Sequence, residues 1–187
     1  MKNRCEWCLS SPLYIDYHDK EWGVPEFDDQ KLFEMINLEG AQAGLSWITI
    51  LKKREGYLKA FDQFDPLKII KYSDAKLEKL RLNPEIVRNR LKIAAVKTNA
   101  LAFLKIKESG KSFSSYLWDF VDGKPIQNKF KSMDQVPATT KLSDKLSKQL
   151  KKDGFKFVGS TITYAFMQAC GMINDHKTSC FRYSEIT

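Results

Sequence analysis

The chain has 187 residues, of which 43% are hydrophobic and 12% aromatic, so it can bury a substantial core and does not have a disordered composition. Lysine and arginine total 31 against 23 acidic residues, and the formal charge of +8 favours a polyanionic partner, although an ordinary lysine-rich surface has the same composition. The apolar stretches are too short for a membrane helix, and the N-terminal residues lack the apolar core of a signal peptide. We therefore expect a cytoplasmic protein without a membrane partner, whose four cysteines are thiols or metal ligands rather than disulfides.

The first predicted helices begin at clear start signals. Asp28 and Asp29 can cap a helix whose buried side carries Leu32, Phe33, Met35 and Ile36. After the small residues at 40–44, a second helix is predicted, with Trp47, Ile48 and Leu51 in phase. Asp65 followed by Pro66 predicts another start, because the aspartate can cap the helix and proline suits its first position.

The second half of the chain predicts four further helices. Asn83-Pro84-Glu85 repeats the start signal and predicts a long amphipathic helix from Pro84 towards Gly110. Helices are also expected over 112–121, over the lysine-rich stretch 143–152, and from about 161 to 172. Because sustained alternation with period 2 is absent, the predicted fold class is all-α, with residues 1–187 forming a single unit.

Cysteine and histidine residues near the two ends of the chain have the composition of a metal site. The only two histidines, His18 and His176, each have a cysteine nearby: Cys5 precedes the first and Cys180 follows the second. A Cys2His2 set is typical of structural zinc, which here would join the N-terminal segment to the C-terminal one. Cys8 forms a C-x-x-C pair with Cys5, so spacing also permits Cys5, Cys8, His176 and Cys180, and it permits ordinary thiols and surface histidines.

Aromatic side chains and a carboxylate form a second group of candidate functional residues. Near the N-terminus the aromatic residues are Trp7, Tyr14, Tyr17 and Trp22. Glu39 then precedes the small residues at 40–44 and Trp47, so that a flat ligand could approach it closely. Aromatic faces with one carboxylate suit a planar cation, through stacking, cation–π attraction and a charge-assisted hydrogen bond. The alternative is ordinary aromatic packing with Glu39 exposed.

Long blocks of sequence occur in a characteristic order over nearly the whole chain. They include RCEW at 4–7, PLYIDYHD at 12–19, AGLSWIT at 43–49, GFKFVG at 154–159 and YAFMQACG at 164–171. With these blocks the chain resembles the 3-methyladenine DNA glycosylase I family. The resemblance implies a helix-hairpin-helix glycosylase fold with one structural Zn²⁺, whose ligands would be Cys5, His18, His176 and Cys180.

The resemblance also implies positions for the base and the DNA backbone. The base pocket would contain Tyr14, Tyr17, Glu39 and Trp47, with Trp7 and Trp22 nearby. The hairpin that grips the DNA backbone would be formed by Val158, Gly159, Ser160 and Thr161, with amides that face a phosphate. Ser160 stands where the family usually has proline, and we expect it to cap the following helix.

The activity implied by the resemblance is excision of 3-methyladenine from double-stranded alkylated DNA by a monomer, which releases the free base and leaves an abasic site. Tyr17 and Trp47 would stack on the flipped base and Glu39 would accept its hydrogen bonds, so Glu39 and Tyr17 are the predicted catalytic pair. Asp175 adjoins a metal ligand, and we expect it to be structural. No lysine follows the hairpin glycine, so strand cleavage is not expected. The alternatives are a zinc-stapled DNA-binding module without activity and a glycosylase of the same fold for another alkylated purine.

Overall fold

Helices dominate the computed structural model, which describes residues 2–186 and confirms the predicted fold class. Across these residues there are nine α-helices and one pair of very short strands. In chain order they are α1 (Pro12–Lys20), α2 (Asp29–Gln42), α3 (Trp47–Ala60), α4 (Pro66–Ile69), α5 (Asp74–Leu80), α6 (Arg90–Glu108), α7 (Phe113–Trp118), β1 (Ile126–Gln127), α8 (Lys141–Lys152), α9 (Ser160–Ala169) and β2 (Ile173–Asn174). Short 3₁₀ turns lie at Glu6–Ser10, Asp62–Phe64, Asp119–Val121 and Met133–Gln135.

Side-chain caps explain why several helices begin where the sequence predicts. Asp28 accepts a hydrogen bond from the Lys31 amide at the start of α2. Asp65 accepts from the Leu67 amide at the start of α4, where Pro66 is the first helical residue. Each such cap stabilises a helix by about 1 kcal/mol, because it satisfies amides that have no partner within the helix.

The helix predicted from Pro84 begins at Arg90 instead, so this boundary was wrong. Asn83 accepts a hydrogen bond from the Glu85 amide at 2.8 Å, which closes a tight turn rather than a first helical turn. The Val87 amide donates to the Tyr57 hydroxyl, a partner that lies in α3. Residues 83–89 therefore form a packed connection, and α6 starts only where Asn89 caps it.

The last helix also ends earlier than predicted, at Ala169 rather than near Met172. Gly171 adopts φ +75°, a left-handed conformation that favours glycine, and turns the chain away from α9. The next residues form β2, which pairs in parallel with β1 so that Ile126 lies opposite Ile173. This short ladder joins distant parts of the chain and was not expected from the sequence.

The main hydrophobic core surrounds α2, which packs against α3, α6, α7 and α9. Its largest fully buried side chains are aromatic: Phe33, Phe61, Phe64, Phe113, Phe155 and Phe166. A smaller cluster of Tyr17, Trp22, Leu51 and Ala169 attaches the N-terminal aromatic segment to α3 and α9. Within residues 2–186, no helix is both long and apolar enough to cross a membrane.

Candidate active site and metal-ligand cluster

A cavity of about 370 Å³ lies between the N-terminal aromatic segment and the helices α2, α3 and α9. The structure brings all the predicted base-binding residues to its walls: Trp7, Tyr14, Tyr17, Trp22, Glu39 and Trp47. Several further residues line the cavity that sequence reasoning missed: Gln42, Met133, Val136, Pro137, Ala138, Tyr164, Ala165 and Gln168. The arrangement is a concave, largely aromatic site with a few polar groups, as expected of a small-molecule pocket.

Glu39 is buried in the wall of this cavity, with only 3% of its surface exposed. Its Oε2 atom has no hydrogen-bond partner among residues 2–186. Burial raises the pKa of the carboxyl to about 8, because the charged form loses its hydration. The alternative in which Glu39 is an exposed residue is therefore wrong, and its surroundings favour the protonated form.

The aromatic walls are formed by rings that contact one another. The ring centroids of Tyr17 and Trp47 are 5.5 Å apart and the rings are tilted by 46°, so a flat ligand would lie against their shared surface rather than between them. Burial, with the nearby Glu39 as a second cause, raises the pKa of Tyr17 well above its usual value and keeps the phenol neutral. The indole Nε1 of Trp47 is buried and has no partner in the described part of the chain.

The predicted hairpin lies between α8 and α9. Val158 is buried, and its carbonyl accepts hydrogen bonds from the hydroxyls of Ser147 and Thr163 at 2.6 and 3.1 Å. Gly159 occupies the N-cap position of α9, and no side chain caps this helix. The expectation that Ser160 caps α9 was wrong, because Ser160 is already helical and its Oγ lies 2.8 Å from Ser143 Oγ in α8.

The first turn of α9 reaches the edge of the cavity. Thr161 is exposed and lines the cavity together with Tyr164 and Gln168, which follow on the same helix. Because the first amides of a helix have no partner within it, an uncapped helix start is suited to bind an anion. The structure thus brings the predicted backbone-binding segment next to the predicted base pocket.

Three of the four predicted metal ligands form a buried cluster. The ligand atoms of Cys5, His18 and Cys180 all lie within 4.8 Å of one another, and Cys180 Sγ is 3.5 Å from His18 Nε2. Cys8 lies outside this group and donates its thiol proton to the Cys5 carbonyl. The cluster therefore includes His18 and does not include Cys8.

His176 lies against the same cluster. The centroid of its ring is 5.0 Å from that of His18, and its Nε2 is buried with no partner within residues 2–186. Its Nδ1 is 2.9 Å from Asn174 Oδ1, just as His18 Nδ1 is 2.8 Å from Asp19 Oδ1. Such outer partners fix a ring so that Nε2 is free to bind a metal. Burial lowers the pKa of His176 to about 3, which keeps it as the neutral imidazole that metals bind.

Comparison with known proteins decides the family. The family model described as methyladenine glycosylase matches residues 7–183. The chain is also 52% identical over 180 residues to DNA-3-methyladenine glycosylase 1 of Escherichia coli (strain K12), and the match covers 96% of each chain. This chain belongs to the methyladenine glycosylase family. The membership confirms the resemblance on which the predicted fold and activity rest.

Other relatives of this methyladenine glycosylase agree. The DNA-3-methyladenine glycosylase of Haemophilus influenzae (strain ATCC 51907 / DSM 11121 / KW20 / Rd) is 52% identical over 180 residues, covering 96% of this chain and 97% of that one. A crystal structure of 3-methyladenine DNA glycosylase I superposes with a TM-score of 0.94 at 56% identity, over 96% and 98% of the chains. The Staphylococcus aureus enzyme, solved to explain 3-methyladenine recognition, gives a TM-score of 0.93 at 37% identity, over 96% of each chain.

The predicted activity is therefore confirmed. This methyladenine glycosylase is an enzyme of DNA repair that hydrolyses the N-glycosyl bond of 3-methyladenine in DNA. A purely DNA-binding module without activity is excluded.

Proposed function

We propose that the aromatic cavity is the base pocket of this enzyme, and that it holds 3-methyladenine after the nucleotide has been flipped out of double-stranded DNA. A base inside a duplex cannot reach a buried carboxyl, so flipping must precede recognition. The observation that carries the proposal is the buried Glu39 Oε2, which has no partner among residues 2–186 and belongs to a cavity lined by aromatic rings. A buried polar atom left unpaired costs the protein stability, and a ligand that donates a hydrogen bond would remove that cost.

Charge explains how this pocket would prefer the damaged base over adenine. Attached to its sugar, 3-methyladenine carries a delocalised positive charge, whereas adenine is neutral. Tyr17 and Trp47 offer their ring faces to the cation, and Glu39 accepts hydrogen bonds from its adenine edge. The cation lowers the pKa of Glu39 from about 8, so the carboxylate forms when the charged base is present. Neutral adenine provides no such stabilisation.

The chemistry that follows needs little help from an acid. The positive charge of 3-methyladenine already weakens the N-glycosyl bond, so the base leaves as a neutral molecule when the bond breaks. Water then adds to C1′ of the oxocarbenium-like sugar and leaves an abasic site. The positions after Gly159 are Ser160 and Thr161, neither of which can form a Schiff base. We therefore propose an enzyme that releases the base without cutting the strand.

The uncapped start of α9 is the proposed contact with the DNA backbone. The amides of Ser160 and Thr161 lie at the positive end of the helix dipole, where a phosphate is stabilised. The net charge of +8 adds long-range attraction for DNA. We propose that the enzyme acts as a monomer, because one chain supplies both the pocket and the backbone-binding segment. We also propose that it acts in the cytoplasm.

The metal-ligand cluster is proposed to hold one Zn²⁺ through Cys5, His18, His176 and Cys180. Two thiolates and two imidazoles match the preference of zinc, and the fourth donor would be Nε2 of His176, which has no partner among residues 2–186. Four protein ligands leave no position for water or substrate, so the metal would stabilise the fold rather than take part in the reaction. It would join the two ends of the chain, so that residues 1–187 act as one unit.

Chromatography of the free bases released from methylated duplex DNA tests this proposal. The purified protein should release chiefly 3-methyladenine, and release should be strongly reduced in Glu39→Gln and in Tyr17→Ala, which removes the ring face proposed to stack on the base. Glu55→Gln is a matched control, because Glu55 is an exposed carboxylate on α3 outside the cavity. Full activity of Glu39→Gln would show that the base is recognised elsewhere, and release of a different alkylated purine would support a glycosylase of another specificity.

A further inference from the structure

Asp175 is a buried carboxylate at which three side-chain donors converge. Only 1% of its surface is exposed, and it follows β2 directly. Its Oδ2 accepts hydrogen bonds from the Tyr164 hydroxyl at 2.6 Å and from the Gln168 amide nitrogen at 2.8 Å. Its Oδ1 accepts a hydrogen bond from Asn128 at 2.6 Å. All three hydrogen bonds are donated to carboxylate oxygens, so each of these groups is oriented with its proton towards Asp175.

This orientation determines which atom Gln168 has available for a ligand. A primary amide has a donor end and an acceptor end, and the carboxylate engages the donor end. The amide oxygen, Oε1, makes no hydrogen bond with the described residues. Gln168 lines the base cavity one helical turn after Tyr164, which Asp175 also holds. The wall of the cavity that α9 forms therefore carries a fixed hydrogen-bond acceptor.

The position of α9 indicates what this acceptor would meet. The base-recognition side chains Glu39 and Trp47 lie on α2 and α3, whereas the proposed phosphate contact is the start of α9. The sugar connects the flipped base to its phosphate, so C1′ must lie between these two walls. Gln168 is the anchored amide on the α9 wall, seven residues or about 10.5 Å along the helix from Thr161.

We propose that Gln168 Oε1 binds the water that attacks C1′, and that Asp175 is the positioning residue that aims this amide. The water donates one hydrogen bond to Oε1, which directs an oxygen lone pair towards C1′. The C1′–N bond breaks with its electron pair going to the base, the C1′–O bond forms, and the extra proton of the water passes to solvent. An amide oxygen suffices, because the cationic sugar needs an oriented water more than a strong base.

This inference rests on the proposed base pocket, and a competing nucleophile can test it separately. Methanol added to a single-turnover reaction also attacks C1′ and gives a methyl glycoside, which resists the alkaline cleavage that cuts an abasic site. Gln168→Met keeps the side-chain length but removes the acceptor. We expect its single-turnover rate constant to fall by about tenfold or more, its affinity for free 3-methyladenine to stay unchanged, and its fraction of alkali-resistant product to rise. Asp175→Asn should change rate and product fraction in the same direction.

Gln149→Met is the matched control, since Gln149 donates to Asp153 at 2.9 Å on α8 and does not line the cavity. It should behave as the wild type in all three measurements. The proposal is refuted if Gln168→Met keeps the wild-type rate and product fraction, or if its rate falls only as far as its base affinity. Should Asp175→Asn fail to fold, Gln168→Met alone decides. If Glu39→Gln keeps its affinity for free 3-methyladenine, the base pocket is wrong, whatever Gln168→Met shows.

Discussion

Replacement of Glu39 by glutamine should stabilise the fold at alkaline pH while it removes base recognition. Burial raises the pKa of this carboxyl from 4.5 to about 8. Between these two values the folded protein binds a proton that the unfolded chain has lost, so the free energy of unfolding falls as pH rises through this range. One pKa unit corresponds to about 1.4 kcal/mol, so the cost is about 2 kcal/mol at pH 6 and on the order of 5 kcal/mol above pH 8. Glutamine carries no such cost.

Urea unfolding of both proteins, measured between about pH 5.5 and 9 at constant salt, tests this expectation. The difference in free energy of unfolding, variant minus wild type, should grow with pH and level off above about pH 8. Subtraction cancels the contributions of the other titrating groups, the metal ligands among them. Glu55→Gln, at an exposed position of α3, should show a small difference that does not vary with pH in this way. A Glu39→Gln difference that is constant over the whole range would show that the carboxyl is already ionised in the free enzyme.

Three further predictions concern the fold. Gly171→Ala should lower the free energy of unfolding by about 3 kcal/mol or more, because at φ +75° the new Cβ would lie 2.4 Å from Pro25 N. Gly123 has a similar φ of +73° but open surroundings, so Gly123→Ala should lower the free energy of unfolding by only about 1 kcal/mol, and equal losses would refute the steric argument. Gln63→Gly should raise the free energy of unfolding, measured with urea, by up to about 1 kcal/mol, because the exposed Gln63 has φ 59°, a conformation that strains residues other than glycine. A loss of stability would show that this residue is not strained. Treatment with a chelator should lower the melting temperature, because a structural metal stabilises the fold, and it should change the tryptophan emission, because the Trp22 ring lies 4.5 Å from that of His176. Unchanged spectra and melting would argue against a structural metal.

Helix starts could be predicted where the decisive contact is local. Asp28 and Asp65 each bond to an amide two or three residues ahead, so the sequence contains both partners. Asn83 presents the same local pattern and yet forms a turn, and the Val87 amide that follows donates to the Tyr57 hydroxyl in α3 rather than within a helix. The pairing of β1 with β2 has no local signal at all, since each strand contributes two residues. Contacts of this kind depend on the assembled fold.

The candidate site likewise contains some residues that the sequence identifies and others that it does not. Glu39 and the aromatic residues around it could be proposed from their composition, and the resemblance to the family defined the set. Gln168 and Tyr164 were missed as pocket residues, although their spacing on α9 places two polar side chains on one face of a mostly apolar helix. The segment 133–138 has no sequence signal for its position on the cavity wall, which depends on where the connection between β1 and α8 runs.

The aromatic cavity and the metal-ligand cluster are in contact. This contact explains how a small enzyme can keep a pocket whose unpaired buried polar atoms lower its stability. The centroid of the Trp22 ring is 4.5 Å from that of His176 and 5.0 Å from that of Trp7, so a metal bound by His176 would also fix the aromatic wall. In the same cavity the protein keeps Glu39 Oε2 and Trp47 Nε1 buried without partners among residues 2–186. These unpaired groups destabilise the free enzyme, and a metal held by the proposed ligands would offset them, because it would bind only the folded chain. A bound base can then form hydrogen bonds with Glu39 Oε2 and Trp47 Nε1 without first breaking a hydrogen bond within the protein.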